Sequence, residues 1–407
     1  MTRDLPARAL AVLTAFLLPL GTIGIGGVVA LGLYLVTFGR RVLPGEGRLV
    51  AAALPLALAL PAATLAFARE AGAAPTRTAL VHALGMAAIV LIGPVALRRM
   101  VARAGAGLLA AAFVAGAVGL AASVIADAAL GWQRIPVGLY RVGDLHNVTA
   151  AVLVVAFAPA LRFATHGRAR FVGAAAALTL AVGVLAAWSW VGALGLAAGA
   201  LAFVALHRGW EAAALTLPGA VALSLVAYWS AAHGGWYVPG LETLGEILSS
   251  RARIFAQGLE LAAQRPWGGW GSHMGDLAGP LGGVGRYHVD DLVLPHFHSL
   301  TVQTAFETGV PGLMALAVWF GYLLLAARGP WRAAAGAALV GFLATQAFDL
   351  AWHHASVMVS VTLAAALGLA PEPVPEGHRG EEAAEGDRAE EVPPAPADAT
   401  PAGEAAA

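Results

Sequence analysis

The chain has 407 residues, 59% of them hydrophobic and 12% charged, with a mean hydropathy of +0.75, which excludes an ordinary water-soluble domain and describes a polytopic membrane protein. It has no cysteine, and all 24 of its basic residues are Arg, so disulfides, thiolate nucleophiles, Cys-ligated metals and lysine Schiff bases are excluded. The formal net charge of zero hides a split, since the tail from Pro371 onward holds ten acids and two Arg and leaves a basic body.

A spanning helix needs about 20 apolar residues, and arginines in short loops mark the cytoplasmic side. Arg3 and Arg8 place the N-terminus inside. The run from Ala9 to Phe38, interrupted at Pro19 to Gly21 and Gly24 to Gly27, is too long for one helix and reads as two short crossings that return the chain to Arg40, Arg41 and Arg48. It lacks the charges and cleavage site of a removed signal peptide and is expected to be retained.

Further crossings are expected over Leu49–Phe67, Ala79–Leu97, Gly107–Ala126, Val148–Ala164, Phe171–Trp188, Val191–Leu206 and Ala214–Ala232. Three more end near Ala327, Leu350 and Leu369. The fold class is therefore all-α and polytopic, with about twelve transmembrane helices and a large outer loop with helices before the third-last crossing. The division is an N-terminal bundle (1–233), an outer loop expected to be catalytic (234–298), C-terminal helices (299–370) and an acidic Pro/Ala-rich tail (371–407). That tail has too little apolar surface to offset its ordering entropy and reads as disordered.

Arg251 to Leu313 is the one long polar segment, gathering His273, His288, His296 and His298 with several Arg and Asp. Ser250 to Ala263 has the spacing of an amphipathic helix at the membrane surface. Arg251 and Arg253 at its expected start oppose the helix dipole, which points to a bound anion or to snorkelling at the interface. Arg265 to His273 is a Gly-rich loop in which Trp267 and Trp270 either stack on a sugar or anchor at the interface. His298 stands just before a helix where the chain re-enters the membrane, placed to take a proton from a hydroxyl. Glu307, in an apolar helix, is expected to face the protein interior, as a partner that orients His298 or as a structural hydrogen-bond acceptor.

Together these residues resemble the O-antigen ligase/polymerase family of bacterial membrane glycosyltransferases. The family's His, Asn/Ser/Gln, nine residues, Gly, two residues, Gly signature is met by His298, Ser299, Gly309 and Gly312, with Leu313 departing from the usual next residue. Its Arg-bearing helix and following turn are matched by Arg251, Phe255, Gly258, Leu259, Pro266, Gly269 and Gly271. A looser match runs from Arg141 to Ala150 through Asn147, while the usual Ser-Arg appears as Ser189-Trp190.

The resemblance implies transfer of a glycan from an undecaprenyl diphosphate carrier to a lipid or glycan hydroxyl, on the periplasmic face of the inner membrane. His298 would be the general base, assisted by Glu307. Arg251, Arg253, Arg286 and Arg141 would hold the diphosphate, and Trp270 and Ser299 would contact substrate. Gly309 and Gly312 would be structural. The partners expected are that carrier-linked donor, its acceptor and membrane lipids. Neither metal, cofactor nor nucleic acid is expected, and inversion at the anomeric carbon follows. Ligase, polymerase and protein O-glycosylation ligase remain open. Two other classes compete: a metal-dependent hydrolase on His288, Asp290, Asp291, His296 and His298, and a transporter lined by Glu307, Asp349, His353 and His354. His353 and His354 otherwise cap or anchor a helix end.

Overall fold

The structure, a computed structural model, describes residues 5–20, 31–32, 34–37, 42–72, 74–75, 77–130, 146–187, 189–212, 244–272, 287–289, 292–294 and 296–369. The crossing expected over Ala214–Ala232 and the acidic tail lie outside the described residues, as do Arg141 and Arg286.

The described helices are α1 (Leu5–Leu17), α2 (Glu46–Glu70), α3 (Arg77–Ala104), α4 (Ala106–Ala129), α5 (His146–Ala164), α6 (Arg170–Ala186), α7 (Trp190–Arg208), α8 (Leu244–Gln264), α9 (Leu300–Ala326), α10 (Arg332–Gln346) and α11 (Ala355–Gly368). A short antiparallel hairpin, β1 (Tyr287–Val289) with β2 (Leu292–Leu294), lies between α8 and α9. Among the described residues, seven helices are long and apolar enough to cross a membrane: α2 to α7 and α9, with α6 counted from Gly167. Leu5–Leu20 and α11 are shorter apolar helices. The runs expected from Leu49–Phe67 to Val191–Leu206 thus reappear as helices, the run Ala9–Phe38 is described only in part, and the total of about twelve crossings is not reached among the described residues. Leucines such as Leu54, Leu58 and Leu65 face outward from α2, the surface a helix presents to lipid rather than water.

Two ends of the bundle differ in chemistry. At one, Glu46 in the first turn of α2 complements the helix dipole and binds Arg99 of α3 in a fork, at 2.7 Å to Nε and 2.5 Å to Nη2. Arg98 donates to the carbonyls of Pro44 and Leu369, and the Arg328 amide donates to Gly368, so expected cytoplasmic arginines of two separate loops gather here. The α2 helix runs about 37 Å to the other end. There Glu70 binds Arg265, and Thr64 accepts from the Ser272 amide at 3.0 Å.

Close helix contacts rest on small residues, as expected where lipid supplies no hydrophobic drive between helices. The α7 helix meets α10 at Gly195 and Gly341, and a Cβ on Gly341 would stand 2.8 Å from the Gly195 carbonyl oxygen. Gly341→Leu is therefore expected to separate α7 from α10 and sharply reduce folded protein, read as the yield of monodisperse enzyme after detergent extraction. Gly321→Leu, with nothing within 4 Å of its Cβ position, is the control expected to change little. At the start of α7, Ser189 accepts from the Gly192 amide and donates to Asn147 at 2.7 Å, joining two of the motif fragments read from the sequence.

Candidate active site

The site is built on a break in α9. Gly309 has φ 68° and ψ −163°, a conformation essentially confined to glycine, and Pro311 has no amide hydrogen. The carbonyls of Phe306 and Glu307 therefore lose the partners a continuous helix would supply. The Gly-rich loop after α8 replaces them: the Trp270 amide donates to Phe306 and the Gly271 amide to Glu307, each at 2.9 Å, while the Val310 amide donates to the Pro266 carbonyl at 2.7 Å. This approach requires bare backbone. A Cβ on Gly269 would stand 2.3 Å from the Glu307 carbonyl oxygen, and one on Gly309 would stand 2.4 Å from that of Pro266. Two turns before the loop, Gly258 lets α8 lie against Val302 and the ring of Phe297.

Above the break, Ser299 caps α9 by accepting from the Val302 amide. Before it stands His298, the one non-glycine residue with positive φ (51°) among those described. Such a conformation costs on the order of 1–3 kcal/mol and persists only where its surroundings dictate it. The imidazole meets the turn after α10, where Nδ1 lies 3.1 Å from Oδ1 of the buried Asp349. A carboxylate accepts, so Nδ1 carries the hydrogen and Nε2 is left as the basic nitrogen.

His296 packs edge-on against the His298 ring, with centroids 4.2 Å apart, and its Nδ1 accepts from the His298 amide at 3.2 Å. Burial pushes its pKa down to about 4, Asp349 acting against that and Arg251 and His354 with it, so His296 stays neutral at physiological pH. Burial also lowers the pKa of His354, opposed by Asp349.

Arg251 reaches this cluster from α8. The helix begins at Leu244, so Arg251 and Arg253 sit in its interior and not at its start, and the dipole argument for an anion does not apply to them. A different observation does. Buried Nη1 of Arg251 has no hydrogen-bond partner among the described residues, and burial lowers its pKa despite the opposing charge of Asp349. A guanidinium held this way is short of one acceptor. Arg253 is exposed.

The other expected site residues are placed as follows. Glu307 is buried, accepts from Gln303 Nε2 at 3.0 Å and faces His353 Nε2 at 3.6 Å, on the inner side of the cluster. The His353 ring meets that of His82, which in turn bonds Ser272 at 2.7 Å. Trp270 donates to the Leu261 carbonyl, stacks on Phe306 and lies under Arg265. The His354 carbonyl accepts from the first amides of α11, so that residue does stand at a helix end.

Of the residues weighed for a metal, His296 and His298 come together, but with Asp349; their ligand atoms and a carboxylate oxygen all lie within 4.8 Å of one another. Asp290 and Asp291 lie outside the described residues. In this trio Nδ1 of each His is hydrogen-bonded, Nε2 of His298 is left open, and the Arg251 cation stands near.

Residues 153–317 match the family model for O-antigen ligase. The chain carries an O-antigen ligase-family domain. The match runs from α5 past the break in α9, taking in Arg251, the Gly-rich loop, His298, Gly309 and Gly312. No curated protein matches the chain. The match and the seven apolar helices support a multi-pass membrane protein with glycosyltransferase activity of the general O-antigen ligase/polymerase type. Asp349, 51 residues beyond His298, lies outside the matched segment and is joined to it by the fold.

Proposed function

We propose that the protein transfers a glycan from undecaprenyl diphosphate to an acceptor hydroxyl on the periplasmic side of the inner membrane. The observation that carries the reading is the His298–Asp349 pair, with Nε2 left to accept a proton, beside the buried and incompletely bonded Arg251. The opposite end of the bundle holds the arginines of the short loops, which supports a periplasmic site by the charge rule.

In the proposed step, the acceptor hydroxyl gives its proton to His298 Nε2 as its oxygen bonds the anomeric carbon. The bond from that carbon to the phosphate oxygen breaks, and its electron pair leaves on the diphosphate. Displacement from the opposite face inverts the carbon. Arg251 takes the growing charge by a charge-assisted hydrogen bond, with Arg253, Arg286 and Arg141 assigned to the same diphosphate. Asp349 holds the imidazole and stabilises its protonated form. Trp270 and Ser299 shape the site wall through the loop and the helix cap they hold, and Glu307 acts from behind.

No metal enters this scheme. Transfer is expected to continue undiminished in a strong chelator; loss restored by one divalent ion would shift the reading to a His296, His298 and Asp349 metal centre. The acceptor is tested by deleting the gene in its host and sizing the glycans. Full-length chains stranded on the carrier identify a ligase, and single repeat units a polymerase. An unchanged profile overturns glycan transfer.

A further inference from the structure

The left-handed backbone at His298 needs something to hold it, and the residues around it show what does. Its own amide is held by His296. The amide just before it, of Phe297, donates to Gln303 Oε1 at 3.0 Å across the first turn of α9. The other end of the same side chain, Gln303 Nε2, donates to Glu307 Oε1 at 3.0 Å, and Gln303 and Glu307 are both buried. The Phe297 amide can only donate, so the Gln303 oxygen must face it and Nε2 is turned to Glu307, which accepts at the other end and holds Gln303 in that orientation. The Phe297 side chain is itself fully buried, between Phe306 and Gly258.

We propose that Gln303 is a positioning residue for the transfer reaction. It ties the backbone entering His298 to α9, so that the imidazole meets Asp349 with Nδ1 and keeps Nε2 toward substrate; Glu307 is the group that orients Gln303. This rests on the reading of His298 as the base. Neither Gln303 nor Glu307 touches the reacting atoms in this assignment.

The two hydrogen bonds have a direction that can be reversed. Gln303→Glu keeps an acceptor for the Phe297 amide but sets two carboxylates against each other. Adding Glu307→Gln supplies a donor again, so the carboxylate at 303 can accept from both the Phe297 amide and the new amide at 307.

The experiment measures steady-state transfer by the full-length enzyme in bilayer nanodiscs, using purified carrier-linked donor. Gln303→Met and Gln303→Glu are expected to lower kcat about 10- to 100-fold, with the donor KM within about twofold of wild type, the pattern of a misplaced catalytic group and not of lost binding. The double variant Q303E/E307Q is expected to return to within about fivefold of wild type, as reversal of a coupled pair requires. A merely structural role predicts otherwise: activity would follow the amount of folded protein, and the double variant would be no better than Q303E. Should Gln303→Met fail to fold, the Q303E and double-variant comparison decides alone. Wild-type kcat in Gln303→Met, with His298→Ala inactive, overturns the positioning role and leaves the base in place. Full activity in His298→Ala instead overturns the base reading on which it rests.

Discussion

His298→Ala is expected to abolish transfer while the protein inserts and accumulates normally, and Asp349→Asn to lower kcat by about two to four orders of magnitude, the usual range for general acid–base catalysis. The two losses have different physical origins. The first removes the nitrogen that takes the proton; the second keeps that nitrogen but withdraws the negative charge 3.1 Å from Nδ1, which held the tautomer and stabilised the imidazolium formed in the transition state. Asp349→Asn also removes the charge that favours the cationic form of Arg251, so weaker donor binding accompanies the slower chemistry. Single-turnover rates of purified enzyme at saturating donor separate these effects. Transfer within about threefold of wild type in Asp349→Asn would remove Asp349 from the mechanism. Equal survival in His298→Ala would remove the base.

The second large effect belongs to the break in α9. Gly309→Ala is expected to destabilise the protein by several kcal/mol, because a side chain in that backbone region alone costs about 1–3 kcal/mol. The added methyl also meets the Pro266 carbonyl oxygen at 2.4 Å, and pushing the loop away forfeits hydrogen bonds from Val310, Trp270 and Gly271 worth about 1 kcal/mol each. Thermal unfolding in detergent should show a strongly lowered midpoint with loss of transfer. Gly321→Ala, in the same helix with open space around it, is the matched control. Equal midpoints for the two variants would mean that the loop does not brace the helix.

What could be read from the chain and what could not divide along a physical line. Long apolar runs declare themselves one by one, so α2 to α7 are readable from composition and flanking arginines to within about three residues, except that α3 continues past Leu97 to Ala104. The start of α8 was misjudged because Leu244 to Ser250 and Arg251 to Gln264 form one helix, while the polar pattern is evident only in its second half. His298, Gly309 and Gly312 were recognisable as a spaced signature, yet the reason for that spacing lay in a different segment, the backbone amides of residues 270 and 271. Asp349 was visible as a costly acid in an apolar stretch and was read as part of a transport path. Its partnership with His298 depends on how α9 and α10 bring two residues 51 positions apart back to one point, which local pattern does not encode. Gln303 gave no signal at all, being one polar residue on an ordinary helix turn.

The exchanged hydrogen bonds at Gly309 also decide which parts of the molecule travel together. Residues 300–308 are continuous in sequence with the rest of α9, but their open carbonyls are closed by the loop that follows α8. His298 and Arg251, the proposed base and anion holder, thus stand on segments clamped to each other across the break. The lower part of α9 and the membrane bundle form the mount of this unit. The spacing between His298 and Arg251 is therefore set within this unit by the loop's hydrogen bonds to α9. Asp349 stands on the mount, at the end of α10. This unit meets the bundle at His298–Asp349, Glu307–His353, Arg265–Glu70 and Ser272–Thr64, so the seating of the proposed base on its carboxylate is fixed by several contacts spread along the unit rather than by one.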